Sequence, residues 1–238
     1  LVGSEMCIRD RKNIMSIPGV AVWGLGAHAI KRIIPTLSNL EDLSLVGVCS
    51  RNQKSVSECA LKWDCNGWTD PIKMLENNKV DVIYISTPIG VHANLAIEAL
   101  KAGKNVWCEK PLTCNYEDSE RLLTLAKKGG QMLAECFMYL YHPQFNRLIE
   151  FANGTEAGQV HFVNCRFGIP FLEMPGFRNN PDLCGGAFTD VASYPISALV
   201  ELFPEQEFEV VFAEICKKEN FPVDIEGCAL LRSSNGIK

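Results

Sequence analysis

The sequence predicts an α/β protein: a parallel sheet covered on both faces, followed by a second α/β domain with an open mixed sheet. Two observations carry this. From Met15 onward short apolar runs alternate with longer amphipathic ones, and the early strand-like runs are apolar nearly throughout. That is the pattern of strands buried on both faces, where one-sided strands would alternate apolar with polar. After about Phe137 the rhythm changes, and an irregular Pro/Gly/Asn stretch interrupts it. The composition permits both domains. The 238 residues are 47% hydrophobic and 21% charged, enough to bury a substantial core.

The elements follow in order. "GVAVWGLG" (19–26) reads as a strand ending in glycines, and "AHAIKRIIPTL" as the helix behind it. "LSLVGVCSR" (43–51) and "VDVIYIST" (80–87) are strands; "NQKSVSECALKW", "DPIKMLEN" and "GVHANLAIEALKAG" are helices, the last closed by Gly103. "NVWCE", "NYEDSERLLTLAKKG" and "QMLAECF" add strand, helix and strand, completing a domain over 15–136. In the second domain, 137–238, "HPQFNRLIEFANG" is a helix and "GQVHFVNCRFGI" a long strand. "AFTDVASYPISALVELF" is a helix, and "FEVVFAEICKKE" and "IEGCALLRSS" are strands. The sequence stops at "SSNGIK", where a hairpin turn is expected, so this domain reads as incomplete. Residues 1–14 read as a non-native or disordered leader, because "LVGSEMCIRDR" matches the translation of a transposon adapter used in sequencing libraries.

Composition narrows the function. A formal net charge of -5 leaves no basic footprint for nucleic acid. No apolar run approaches the roughly 20 residues of a membrane span, and no signal-peptide pattern appears, so a cytoplasmic protein without membrane partners is expected. The eleven cysteines form neither a CxxC pair nor a Cys/His cluster, so no metal site is expected. Cys49, Cys108, Cys136 and Cys165 lie in apolar strand-like runs, and the cysteines are expected to be reduced core residues without a structural disulfide.

"VAVWGLGAHA" sets Gly24, Gly26 and Ala29 in the G-x-G-x-x-[GA] pattern between the first strand and first helix. The first glycine permits a tight turn, the second lets backbone approach a pyrophosphate, and the small third residue lets the helix pack on the sheet. At the first strand of an alternating α/β domain this is a dinucleotide-binding Rossmann loop, with Ala27 and His28 as further cofactor contacts. The second strand ends in "CSRN", so Ser50 and Arg51 stand where an NAD site carries an acid. A carboxylate would repel a 2′-phosphate, whereas Arg offers it a charge-assisted fork. NADP is expected over NAD.

"NVWCEKPLT" runs an apolar strand into Glu109, Lys110 and Pro111. The C-terminal end of a parallel strand is the edge where open α/β sheets bind ligands, and a cis Lys110-Pro111 bond is allowed there. "CGGAFTDVASYP" puts Asp190 and Tyr194 four apart, on one face of a helix. Gly185 and Gly186 before it let backbone come close to a ligand.

"STPIGVHANLAIEALKAGKNVWCEKPLT", with "FMYLYHPQ" and "GGAFTDVASYP" following in order, resembles the glucose–fructose oxidoreductase, inositol dehydrogenase and rhizopine-catabolism (Gfo/Idh/MocA) family from about Ile17 to the end of the chain. The Tyr at 194 resembles its dihydrodiol and D-xylose dehydrogenase branch. The resemblance implies a Rossmann domain followed by a substrate domain, and a homodimer or homotetramer at full length. It implies a hydride transfer between the nicotinamide and a secondary alcohol of a sugar, polyol or diol. Lys110, Asp190 and Tyr194 are then catalytic. Lys110 would offset oxyanion charge and depress the phenol, leaving Tyr194 as general base. Thr87, Pro88 and His92 would line the nicotinamide. Glu109 would contact the cofactor or pair with Lys110, and Arg178 would bind substrate beside Lys110 and Asp190. One departure is Leu140, where the family often has Arg. The alternatives are a non-catalytic NADP-binding regulator, or a reductase of imines or tetrapyrroles on the same fold.

Overall fold

A computed structural model describes residues 17–156, 158–170 and 176–237. The expected leader over 1–14 lies outside the described residues. The chain forms two compact units divided between Ser86 and Thr87.

In the first unit, strand β1 (Gly19–Trp23) is buried along its whole length. Parallel ladders join it to β2 (Ser44–Cys49) on one side and β4 (Val82–Ile85) on the other, and β2 pairs in parallel with β3 (Asn66–Trp68). β3 escaped the sequence reading because three residues, one of them glycine, show no periodicity. Val20, Val22, Ile83 and Ile85 are fully buried with Ile34 and Met74 from the covering helices. Those helices are α1 (Ile34–Asn39), entered through a π-helical turn at Ala29–Ile33, α2 (Gln53–Trp63) and α3 (Pro71–Leu75). Their ends are legible locally. The Asn52 side chain accepts from Ser55 N at 3.0 Å and Asp70 from Ile72 N at 3.0 Å, each satisfying an orphan amide of a first turn.

In the second unit, α4 (His92–Lys101) leads into β5 (Asn105–Glu109), and α5 (Tyr116–Gly129) into β6 (Leu133–Cys136). The two strands are parallel, with Cys108 opposite Glu135 and Glu109 opposite Cys136. α6 (Pro143–Asn153) and α7 (Ser193–Leu202) follow, and Phe145, Leu202, Phe203 and Ile237 make a small core between them. β7 (Phe208–Lys217) and β8 (Asp224–Ser233) form an antiparallel hairpin. The α/β class therefore stands, with parallel strands first and an antiparallel pair after them.

One element differs. The strand expected over 158–169 has no ladder partner among the described residues and is irregular there. Without a neighbour, an apolar run with strand propensity gains no ladder hydrogen bonds to hold it extended.

Candidate active site

The reactive side chains of the second unit converge on Lys110. It follows the last residue of β5, and its peptide bond to Pro111 is cis. Its ammonium donates to the backbone oxygen of Asp190 at 2.6 Å and to Asp190 Oδ1 at 3.1 Å. The other carboxylate oxygen, Oδ2, accepts from Arg178 Nε at 2.6 Å. Asp190 is only 5% exposed, so its charge is held by two cations, as a buried carboxylate requires. It lies in a π-helical turn, Phe188–Ala192, just ahead of α7. Behind the turn Gly186 takes φ 122, and a Cβ there would strike the Asp224 carboxylate.

Tyr194 shares that helical face. The Lys110 ammonium sits 4.6 Å from its ring centroid, and Phe167 stacks on the ring at 4.7 Å and 9°. The phenol hydroxyl lies 3.8 Å from Met138 Sδ. This corrects the expected electrostatics. Burial pushes the Tyr194 pKa up, and the charges of Glu109 and Asp190 and the neighbouring Tyr139 add to the rise, against which Arg178 works alone. Lys110 lies over the ring face with its hydrogen bonds directed to Asp190, and the net shift of the phenol is upward. The phenol is held in its protonated form.

Arg178 and Asp190 open onto a cavity of about 840 Å³, walled by Phe162, Phe167, Phe188 and Ile196 and reached by Arg166 and Asn164. Arg178 remains 43% exposed.

The other expected contacts separate by environment. His92 is fully buried, with Nε2 2.8 Å from Thr87 O and Nδ1 3.0 Å from Pro111 O. Both partners are acceptors, so a neutral ring satisfies one of them and an imidazolium both. Burial lowers its pKa, while the two carbonyls and Glu109 pull the other way. His92 ties two loops together. The Thr87 hydroxyl is buried without a hydrogen-bond partner among the described residues, and Pro88, half-buried, precedes the short 3-10 turn Ile89–Val91. Glu109 ends β5, half-buried.

In the first unit, Gly24 adopts φ 111, a conformation that favours glycine, and donates to Cys49 O at 2.9 Å. Gly26, Ala27 and His28 are exposed, whereas Ala29 is fully buried. The helical turn they enter, Ala29–Ile33, has no side-chain cap hydrogen bond from its N-cap residue His28. Ser50 Oγ accepts from Asn52 N at 3.4 Å. Arg51 is exposed, with no hydrogen bond or ion pair among the described residues.

Two features were missed. Glu135 is an acid inside the apolar run "MLAECF", the one signal that marked it, and its Oε1 accepts from Leu112 N at 2.8 Å. Cys114 and Cys184 form a disulfide with Cα atoms 6.0 Å apart, which corrects the expectation that all cysteines are reduced. Cys49 and Cys108 are indeed free and buried, but Cys165 is exposed. Among the described residues no His/Cys/Asp/Glu group could hold a metal ion. The stretch Pro181–Leu202 reaches the length and hydropathy of a membrane span (22 residues, 1.2). However, it is broken at Cys184 and Gly186, which have positive φ, and carries the Asp190 ion pairs.

Comparison with known proteins identifies the family. A family model described as an oxidoreductase family with an NAD-binding Rossmann fold matches residues 19–137, and the GFO/IDH/MocA C-terminal domain matches 145–238. A dTDP-3,4-didehydro-2,6-dideoxy-alpha-D-glucose 3-reductase of Saccharopolyspora spinosa is 30% identical over 91% of this chain. The chain spans 65% of that relative's length. A D-xylose 1-dehydrogenase (NADP(+)) of Haloferax volcanii is 29% identical over 74% of this chain and 54% of its own. Among solved structures, a Tyr-to-Phe mutant of KijD10, a 3-ketoreductase from Actinomadura kijaniata in complex with TDP-benzene and NADP, superposes with a TM-score of 0.87 at 29% identity. It covers 93% of this chain and 68% of its own.

Proposed function

The chain belongs to the Gfo/Idh/MocA family of oxidoreductases, and we propose that it is an NADP-dependent enzyme that interconverts a secondary alcohol and a ketone on a sugar, polyol or related diol. The observation that carries this reading is the Arg178–Asp190–Lys110 chain of ion pairs, with Lys110 lying over Tyr194, beside a cavity large enough for a sugar with a further substituent. Residues 15–136 serve as the cofactor domain and 137–238 as the substrate domain.

The residues present fit a nicotinamide dinucleotide. Gly24, Gly26, Ala27 and His28 offer backbone to a pyrophosphate, and Ser50 and Arg51 offer side chains to a ribose and its 2′-phosphate. When bound, the nicotinamide supplies or accepts the hydride. Lys110, held on Asp190, opposes negative charge at the substrate oxygen. Tyr194, kept protonated by its surroundings, donates the proton that completes the alcohol. A phenol with a raised pKa stays in its protonated form through neutral pH, the form that reduction requires. The expected general-base role survives for oxidation at alkaline pH. The cavity wall is mainly aliphatic with five phenylalanines, and its polar groups include Arg166, Arg178, Asn164, Asp190, Asp224 and Glu226, a mixture of donors and acceptors that suits a hydroxylated ligand.

The test is a spectrophotometric screen of NADPH oxidation with dTDP-linked keto-sugars, free keto-sugars, inosose and a cyclic imine. Turnover of a keto-sugar supports the reading. Turnover of the imine alone would move the protein to another reductase class, and cofactor binding without turnover of any compound would favour a regulator. We further propose self-association through the β7–β8 hairpin, on which Val210, Phe212 and Ile215 are exposed. Sedimentation as a monomer at micromolar concentration would remove that proposal.

A further inference from the structure

The loop that follows Lys110 is anchored residue by residue, and one peptide plane within it is held from both sides. The Pro111–Leu112 peptide presents its oxygen to His92 Nδ1 at 3.0 Å and its N–H to Glu135 Oε1 at 2.8 Å. Around it, the Thr113 hydroxyl bonds to Asn115 O at 2.6 Å and lies 2.6 Å from Ser119 Oγ. Cys114 is bonded to Cys184.

We propose that Glu135 is a positioning residue for Lys110: with His92 it clamps the Pro111–Leu112 peptide and thereby fixes the direction in which the lysine leaves β5. The inference rests on the reading of Lys110 as the group that meets the substrate oxygen. β5 ends at Glu109, one residue beyond the pairing of Cys108 with Glu135. Past that point the chain turns, and the Leu112 N–H has left the ladder in a half-buried environment. An amide there needs an acceptor. Placing a carboxylate on an otherwise apolar strand carries a desolvation penalty, and burial does raise the Glu135 pKa, against the Leu112 N–H and the Lys110 charge, which lower it. A backbone fixed at the peptide after Pro111 restricts the stretch of chain from which the Lys110 side chain reaches both Asp190 oxygens. A rotation of that plane would swing the ammonium off both Asp190 oxygens, since an ångström of misplacement is enough to break a charged hydrogen bond and lose its effect on the reaction.

Three substitutions in the full chain test this. Glu135→Leu removes the acceptor at similar volume, Glu135→Gln keeps an oxygen without the charge, and Glu135→Asp keeps the charge but withdraws it by one methylene. The first readout is hydrogen–deuterium exchange of peptides covering Lys110–Cys114, which requires no substrate. Glu135→Leu is expected to speed exchange there about tenfold while α6 stays unchanged. Glu135→Gln stays close to wild type and Glu135→Asp falls between. The second readout is turnover of whichever carbonyl compound the wild type reduces. Glu135→Leu lowers kcat about tenfold with KM nearly unchanged, and Glu135→Gln restores most of it. Wild-type exchange in Glu135→Leu overturns the proposal. If that variant fails to fold, wild-type exchange in Glu135→Asp does so instead. Glu135→Gln as impaired as Glu135→Leu also overturns it, because the charge and not the clamp would then matter. A wild type that reduces nothing counts against the enzyme reading alone, and the exchange data still decide this one.

Discussion

The glycine loop of the first unit and the lysine loop of the second both leave the C-terminal end of a parallel strand, yet they are built in opposite ways. Gly26, Ala27 and His28 are exposed and their helical turn lacks a side-chain cap. Between Lys110 and Cys114, by contrast, every residue is engaged through backbone, side chain or disulfide. The difference follows from what each loop has to do. A loop that wraps an anion must stay accessible, so that the ligand can reach its backbone. A loop that aims one ammonium must be rigid before the substrate arrives, because preorganised charge lowers a barrier without reorganising during the reaction.

The most direct way to break this comparison is to remove the proton donor that the lysine loop serves. Tyr194→Phe is expected to lower kcat for ketone reduction by about 10²–10⁴-fold while leaving NADPH affinity, measured by fluorescence titration, close to wild type. The pH profile adds a sign. The Tyr194 pKa is raised, so the proton is present through neutral pH and is lost only as pH rises past the ordinary tyrosine value of about 10. Reduction should therefore stay level through neutrality and fall in the alkaline limb, and that limb should vanish in Tyr194→Phe. A limb that survives in the variant would assign it to another group. Next in size is Lys110→Met, expected to cost about 10²–10³-fold in kcat, again with cofactor affinity retained. A large loss of NADPH affinity in either variant would mean that the lysine loop is a binding loop after all.

The two loops also differed in how well they could be read. The parallel strands were legible because burial on both faces leaves an unbroken apolar run, as in β1 and β4. Lys110, Asp190, Tyr194 and Arg178 were legible as motif residues, and the structure brings all four together. What holds them was not legible, because it depends on pairs far apart in the chain. Glu135 lies 23 residues from Leu112, and Cys114 lies 70 from Cys184. No local pattern encodes such partners. The phenol's pKa failed for a related reason: the residues that surround Tyr194 come from five separate segments, and spacing along one helix says nothing of their combined burial. The strand expected over 158–169 failed because propensity is local and ladder partners are not.

The disulfide offers the next test. It closes a loop of 70 residues, for which chain entropy alone gives roughly 4 kcal/mol, with measured values for such bonds commonly about 2–4. Cys114→Ser should lower stability to urea by an amount in that range, and reductant should do the same to wild type but nothing further to the variant. Because the bond joins the lysine loop to the segment carrying Arg178 and Asp190, NADPH affinity should change little. Equal urea midpoints for wild type and variant would show that the bond contributes nothing in solution.

The smallest effect belongs to the open loop's neighbourhood. Arg51 is exposed and makes no ion pair among the described residues, so its substitution is expected to act chiefly on the ligand. Arg51→Asp is expected to weaken NADPH binding about 10–100-fold, the worth of a charge-assisted bond replaced by repulsion. NADH binding should move by less than about twofold, since its ribose hydroxyls accept an acid as readily as a base, and the melting temperature should hold. The selectivity is what matters. If both cofactors lost affinity equally, Arg51 would be acting on the pyrophosphate or the fold, and the preference for NADP would have to rest on other residues. If neither changed, the open end of β2 would not be where this protein distinguishes the two cofactors.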